Sequence, residues 1–497
     1  MFRRDFLKNL GLLGAVVTVP VSLVNAASRK DNLSNVSTIT LKGRVLNQGK
    51  GLAGVSVTDG INITQTDAKG NYQLLSNKTA QFVYISIPAG YQIDNVNGIA
   101  KFYTPIDLQS PVFNADFNLS KLSKSDQKHQ FVVWADPQIQ NRSDADQFLN
   151  TTAPDLKELV KSYGDDALFH GIGCGDLVFD HHELFEDYKK AVAISGVPFF
   201  QVLGNHDMDL DGVRSDDLSA ETFKKQFGPT YYSFNRGKVH YVVLDDVFFI
   251  GAKKKYIGYI TENQLSWLEK DLKTVPAGSM VIVSVHIPTD SGDKRRNELK
   301  EESMGGVVAN RQQLYKILEP YKVHIMSGHT HWNEHVIIND KIMEHNHGTV
   351  CGAWWSGPVC GDGTPNGYGV YEVDGENIKW YYKSTGKPKD HQISVYAKGY
   401  HTDYADGIVA NVWNWDPQWK VEWLEDGLLK GDMKRITDFD PLTVELYKGS
   451  SIPEYHKWVE PIKTDHLFVV TPSATAKNIV VRATDRFGNV YTCSSQV

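Results

Sequence analysis

Cysteine is scarce, with four in 497 residues. That is too few for the disulfide scaffold by which small secreted domains replace a hydrophobic core. An excess of positive charge is also missing. Lys plus Arg is 52 against 59 for Asp plus Glu, a net charge of −7, so no global footprint for nucleic acid or an anionic membrane is present and no nucleic-acid partner is indicated. Beyond the N-terminus no apolar run reaches the roughly 18 residues of a spanning helix, so the mature chain is expected to have no transmembrane segment. Internal repeats and low-complexity tracts are absent too. What is present is 41% hydrophobic residues, 22% charged residues and 21 Phe, 23 Tyr and 11 Trp. That composition buries a sizeable core and excludes collagen, coiled coil and bulk disorder. The length corresponds to about three domains.

The chain opens Arg3-Arg4-Asp5-Phe6-Leu7-Lys8, continues with an apolar run from Leu10 to Val24 interrupted by Pro20, and ends that segment with Val24-Asn25-Ala26. A charged start, a short apolar middle and a small-residue end describe a secretory signal peptide over residues 1–26. An uncleaved anchor helix is the alternative. The paired arginines before Phe-Leu-Lys resemble the bacterial twin-arginine export signal, which implies a periplasmic or secreted protein.

Residues 33–122 read as an all-β module. Thr38–Val45 alternates with a period of two, and Thr66-Asp67-Ala68-Lys69-Gly70-Asn71-Tyr72 reads as a turn leading into a strand. The pattern resembles the small β-sandwich of carboxypeptidase regulatory domains and of some bacterial phosphoesterases. Over residues 128–392 short β-branched and aromatic runs alternate with helical stretches, which argues for an α/β layer structure. Residues 393–497 return to strand-like rhythm, with Val412–Trp415, Thr443–Leu446 and Asn478–Ala483 as candidates, so a second β-sandwich is expected.

Five strand candidates of the central region run into polar residues able to bind metal. Trp134-Ala135 precedes Asp136-Pro137-Gln138, and Ile172-Gly173-Cys174 precedes Gly175-Asp176. Val202-Leu203 leads into Gly204-Asn205-His206-Asp207, Val285 into His286, and Met326-Ser327 into Gly328-His329-Thr330-His331. In open α/β sheets, ligands bind where loops converge beyond the C-terminal ends of strands. A lone Asn or His is ordinarily a turn or core residue, but this ordered set is not what packing alone produces.

The ordered set resembles the calcineurin-like metallophosphoesterase superfamily, whose blocks run D-x-H, G-D, G-N-H-[DE], a single His and G-H-x-H. The resemblance covers residues 130 to about 390. It implies a calcineurin-like β-sandwich core flanked by helices, with all-β sandwich domains on either side. It further implies two divalent ions, drawn from Mn, Fe and Zn. Asp176 would bridge them, Asp136, Gln138 and His331 completing one site and Asn205, His286 and His329 the other. The pair would activate a bridging water for in-line attack on a phosphate monoester or diester. His206 would be the general acid, oriented by Asp207. One position departs from the pattern: Gln138 stands where the family has His, offering a neutral, weaker oxygen or a supporting hydrogen bond. Asp180 is expected to support the ligands rather than to join them.

After His331, the segment from Cys351 to Tyr368 is rich in Gly and aromatics and is expected to wall the pocket. Trp354, Trp355 and Tyr368 could stack on a substrate or simply pack in the core. Cys351 and Cys360 are close enough to pair in an oxidising compartment. Arg295, within Lys294-Arg295-Arg296, could reach a substrate phosphate. The expected substrate is a small-molecule, glycan or lipid phosphoester. A non-catalytic glycan-binding surface protein with a vestigial metal site is the competing reading, and the presence of His206 beside the metal positions argues against it.

Overall fold

The computed structural model describes residues 38–251, 255–448 and 456–496. The expected signal peptide over 1–26 lies outside them. From Thr38 onward the chain forms one compact unit.

Two sheets face each other at its centre. The first has seven strands in the order Asn377–Ser384, Gly367–Asp374, Lys128–Trp134, Phe169–Cys174, Phe199–Val202, Ile99–Ala100 and Asn95–Val96. The second has six, in the order Tyr232–Arg236, Val239–Val243, Met280–Ser284, Lys322–Ser327, Ile342–Asn346 and Glu334–Ile337. The middle strands of each run parallel, as strands buried on both faces do. Strand period explains the layering. Phe131, Val133 and Ala135 join Tyr241, Val243 and Ile282 in one buried cluster, while their neighbours Val132 and Trp134 join Val242, Val281 and the helical residues Phe148, Tyr188 and Leu268 in another. Alternate side chains thus point between the sheets and outward to the helices.

The helices follow from local signals. Leu184, Phe185, Tyr188, Ala191 and Val192 share the face that the helix Phe185–Ser195 turns to the core, and Gly196 closes it in the left-handed conformation at φ 73°. Thr261 caps the helix Glu262–Asp271 through its side chain.

The N-terminal residues form two further sheets, one built on Thr38–Asn47 and Asn71–Asn77 and one on Ser56–Thr58 and Phe82–Ile85. The C-terminal residues form two four-stranded sheets, as expected of a sandwich. Two details of the C-terminal reading are corrected. Thr443–Leu446 is not a strand but lies within the helix Pro441–Lys448, because Asp440 Oδ1 accepts from the backbone N–H of Leu442 and Thr443 at 2.9 and 3.2 Å and Pro441 starts the first turn. Val412–Trp415 follows the strand Ile408–Asn411 as a turn.

Candidate metal centre

All five polar loops lie at the C-terminal ends of the parallel strands, and they converge. His286 Nε2 stands 3.1 Å from Asn205 Oδ1, 3.3 Å from Asp176 Oδ1 and 3.2 Å from His329 Nδ1. Spacings of about 3–3.5 Å are those of neighbouring donors on one ion held at about 2.0–2.2 Å. Beside this group, Gln138 Nε2 donates to Asp176 Oδ2 at 2.7 Å, and His331 Nε2 lies 3.6 Å from Asp136 Oδ1. Gln138 Oε1 and His331 Nε2 are both buried without a hydrogen-bond partner. Orphaned buried acceptors are costly, and a cation between Asp136, Asp176, Gln138 and His331 would satisfy both. The donor set, carboxylates and carbonyls mixed with imidazoles, fits divalent transition ions.

Imidazole orientation is fixed from behind. The Nδ1–H of His286 donates to Cys174 O at 2.9 Å and that of His331 to Gly352 O at 3.0 Å, which turns each Nε2 toward the centre. Asp246, which the sequence reading did not single out, accepts from His286 N at 3.0 Å and Ile287 N at 3.3 Å. Asp136 accepts from His329 N at 2.9 Å.

The backbone pays for this convergence in strain. Asp136, Gln138, Asp176, His329 and His331 all have positive φ, between 39° and 71°, a conformation costing on the order of 1–3 kcal/mol for each such residue. Two glycines are required by contact. A Cβ on Gly204 would lie 1.9 Å from Asp176 N, and one on Gly328 would lie 2.5 Å from Asp136 Oδ2, so no other residue lets these loops meet.

Burial and charge set the protonation states. Burial alone would push the Asp176 carboxyl up, but the His286 and His206 imidazoles hold it below the ordinary carboxylate range. For His286, burial opposes the charged form, yet Asp176 beside it lifts the imidazole to about 10. Burial pushes Asp136 up to about 8, and burial with the neighbouring His286 lowers His329 to about 3. These opposed shifts mark a concentrated charge centre.

His206 sits at its edge, its main-chain N–H on Asp176 Oδ1 at 2.8 Å. The carboxylate on its ring is not Asp207. Nδ1 of His206 bonds Asp180 Oδ1 at 2.8 Å, and the ring stacks on Phe179 with centroids 4.0 Å apart. Asp207 faces the other way, accepting from Leu177 N, Val178 N and Gly204 N at 2.9, 3.2 and 2.9 Å. It fastens the Asp176 loop to the Asn205 loop, and the expectation that it orients His206 is corrected. A signal for Asp180 existed, since it closes the same loop four residues after Asp176.

The expected substrate residues divide. Trp354 is half-buried and stacks on His331 with centroids 4.0 Å apart. Trp355 is buried and donates Nε1–H to Pro137 O at 2.9 Å, bracing the Asp136 loop rather than lining a pocket. Tyr368 is fully buried, its hydroxyl on Asp155 at 2.7 Å, because it occupies an inner strand of the first sheet, paired on both sides. Arg295 is engaged by Glu334 and by Asp465 of the C-terminal sandwich, not by the centre. Cys351 and Cys360, close enough in sequence to pair, are free and buried, each thiol beside Thr349 Oγ1.

Comparison with known proteins adds to this geometry. Residues 39–122 match the family model "N terminal of Calcineurin-like phosphoesterase", 129–333 "Calcineurin-like phosphoesterase" and 344–491 "C terminal of Calcineurin-like phosphoesterase". Over 178 residues the chain is 25% identical to a probable glycerophosphodiester phosphodiesterase GpdQ of Arcobacter nitrofigilis, a match spanning 33% of this chain and 59% of that relative's length. Among solved structures, a dimetal phosphatase from Danio rerio aligns over 52% of this chain and 97% of its own, at 14% identity and a TM-score of 0.37. A purple acid phosphatase from yellow lupin (Lupinus luteus) aligns over 67% of each chain, at 14% identity and a TM-score of 0.38.

Proposed function

The chain belongs to the calcineurin-like phosphoesterases, whose N-terminal, catalytic and C-terminal models match it in turn, and from that premise we propose that it is a metal-dependent hydrolase of small-molecule phosphate monoesters or diesters. One observation carries the proposal: the convergence of Asp176, His286, His329 and Asn205 beside the two orphaned acceptors Gln138 Oε1 and His331 Nε2.

The residues fit two divalent ions. Asp136, Gln138, Asp176 and His331 would hold one, and Asp176, Asn205, His286 and His329 the other. Bound there, such ions supply Lewis acidity toward phosphoryl oxygens and acidify water enough for it to attack at neutral pH. The chain's own groups do the rest. Asp176 lies between both donor sets and keeps its charge because His286 and His206 flank it. Gln138 brings a neutral oxygen, so its set is the weaker holder. His206, its Nδ1–H on Asp180, turns Nε2 toward the departing oxygen and delivers a proton to it. His206 is raised in pKa: burial works against its protonation, but Asp176 and Asp180 outweigh it, which suits an acid at neutral pH.

Export is part of the proposal and is supported by Arg3-Arg4 and the apolar run to Val24. The double substitution Arg3→Lys with Arg4→Lys should then hold the protein inside the cell, and unchanged export would remove the twin-arginine claim. Elemental analysis and hydrolysis of nitrophenyl phosphate esters test the activity. Wild type should carry up to two ions per chain, and Asp176→Asn should weaken both because it removes the shared ligand. Full occupancy in that variant, or no hydrolysis by metal-loaded wild type, would overturn the scheme.

A further inference from the structure

An indole that belongs to none of the motifs stands at the mouth of the centre. Trp458 lies in the C-terminal part of the chain, yet its ring meets Trp354 edge-on with centroids 4.2 Å apart. It lies 6.5 Å from the Phe179 ring, the planes inclined by 30°. Those two partners back the two chemical halves of the site, Trp354 stacking on His331 and Phe179 on His206. Trp458 closes this aromatic series from the solvent side and is 50% exposed. Single exposed apolar residues are ordinary. This one is set apart by its anchoring on both sides. His456 bonds Ser356 Oγ at 2.7 Å and faces Gln140 Oε1 at 3.3 Å, and Val459 is buried with Ala353, Val359 and Tyr447. Contacts of the neighbouring His456 and Val459 thus place the indole at the rim.

We propose that Trp458, together with Phe179, forms the leaving-group subsite and takes the planar ring of the alcohol half of the phosphoester, an aryl group or a nucleobase. The inference rests on the phosphoesterase reading above and names the substrate class of that same site. If His206 protonates the departing oxygen, the group attached to that oxygen lies beside the ring stacked on His206. That ring is Phe179, and the next surface outward is the exposed indole. Aromatic rings favour offset or edge-to-face partners, and an indole offers both where it is uncovered. A methyl or glyceryl alcohol has no flat face to place there.

The test compares full-length, metal-loaded wild type with Trp458→Ala and Trp458→Phe on phenyl phosphate, a nucleoside 5′-monophosphate and methyl phosphate. The Ala variant should raise KM for at least one planar ester about 3–10-fold, the range expected of one lost aromatic pair. KM for methyl phosphate should move less than about twofold, and the Phe variant should recover most of the loss. Which planar ester responds distinguishes an aryl from a nucleoside leaving group. Equal changes on all three esters, or none, would overturn the subsite while leaving the phosphoesterase reading intact. Should wild type hydrolyse none of them, that reading fails, and calorimetric binding of phenylphosphonate against methylphosphonate still decides the subsite. Wild type should prefer the phenyl compound and Trp458→Ala should lose that preference; an unchanged preference overturns it.

Discussion

His206, Asp180 and Asp207 show what the fold adds to a motif. The four residues Gly204-Asn205-His206-Asp207 are legible as a loop at a strand end, and the role of acid proposed for His206 comes from the family resemblance. Which carboxylate holds the imidazole is not legible, because both Asp180 and Asp207 are near in sequence and only the backbone path decides. Asp207 turns inward onto three backbone N–H groups, while Asp180 reaches the ring. The two should therefore fail differently. Asp207→Ala leaves three buried donors unsatisfied, at about 1–3 kcal/mol each, so a lowered melting temperature should accompany its loss of activity. Asp180→Asn should keep the melting temperature and slow turnover. Loss of His206 itself should cost about 10²–10⁴-fold, the range of a positioned acid. On nitrophenyl phosphate, whose leaving group departs unaided, the penalties of His206→Ala and Asp180→Asn should both shrink relative to an alkyl ester. Equal penalties on both esters, with metals retained, would assign His206 to phosphoryl-oxygen stabilisation instead.

Element by element, the parallel strands of the two sheets were legible because continuous apolar runs ending in polar loops mark buried parallel strands. The helix Pro441–Lys448 imitates a strand in sequence because Thr443-Val444-Glu445-Leu446 alternates polar with apolar and opens on two β-branched residues, while the Asp440-Pro441 start signal favours the helix. The edge of the second sheet carries a feature that no linear pattern announces. His335, on Glu334–Ile337, and His345, on Ile342–Asn346, share a bond between their Nδ1 atoms at 3.0 Å. His345 Nε2 meets His324 Nδ1 at 2.8 Å, and His335 Nε2 meets Asn414 Oδ1 of the C-terminal part at 2.8 Å. Burial lowers all three imidazoles, His324 to about 4 and His345 well below the ordinary value, with neighbouring histidines and Arg486 adding to it. In the unfolded chain each would titrate near about 6.5. The unfolded state thus binds protons first, so the stability these groups allow is full above that pH and is lost as pH falls toward 4. Thermal melts from pH 7 to 5 should show a steady fall in melting temperature, shallower in His345→Asn; an identical slope in that variant would remove the chain from the account.

At the scale of the whole molecule, the rhythm of strands and helices marks three stretches, but it does not show that they share their interiors. Phe102 of the N-terminal part packs on Tyr232 and Phe200 with centroids 4.5 and 5.8 Å apart, and Trp267 Nε1 donates to Thr58 Oγ1 at 3.2 Å. Ile99 pairs directly with Phe199 at the edge of the first central sheet. On the other side, Asn333, two residues beyond His331, donates its N–H to Asp362 Oδ2 at 2.9 Å and its side-chain amide to Trp413 O at 2.8 Å. His466 bonds the same Asp362 carboxylate at 3.0 Å, and Phe487 meets Trp380 edge-on at 4.9 Å. These contacts join residues far apart in sequence, which is why local patterning misses them. They also decide what truncation does. Removing residues 393–497 would uncover Ala353, Val359 and Trp380 and strip partners from the loop that follows His331. The expected result is an insoluble or inactive product, not a trimmed enzyme. The chain from Thr38 onward should instead melt in one transition, its calorimetric and van't Hoff enthalpies agreeing. A fragment of residues 128–392 that folds, binds metal and hydrolyses nitrophenyl phosphate at the full rate would show that the flanking sandwiches are dispensable. The shared cores argue that it will not.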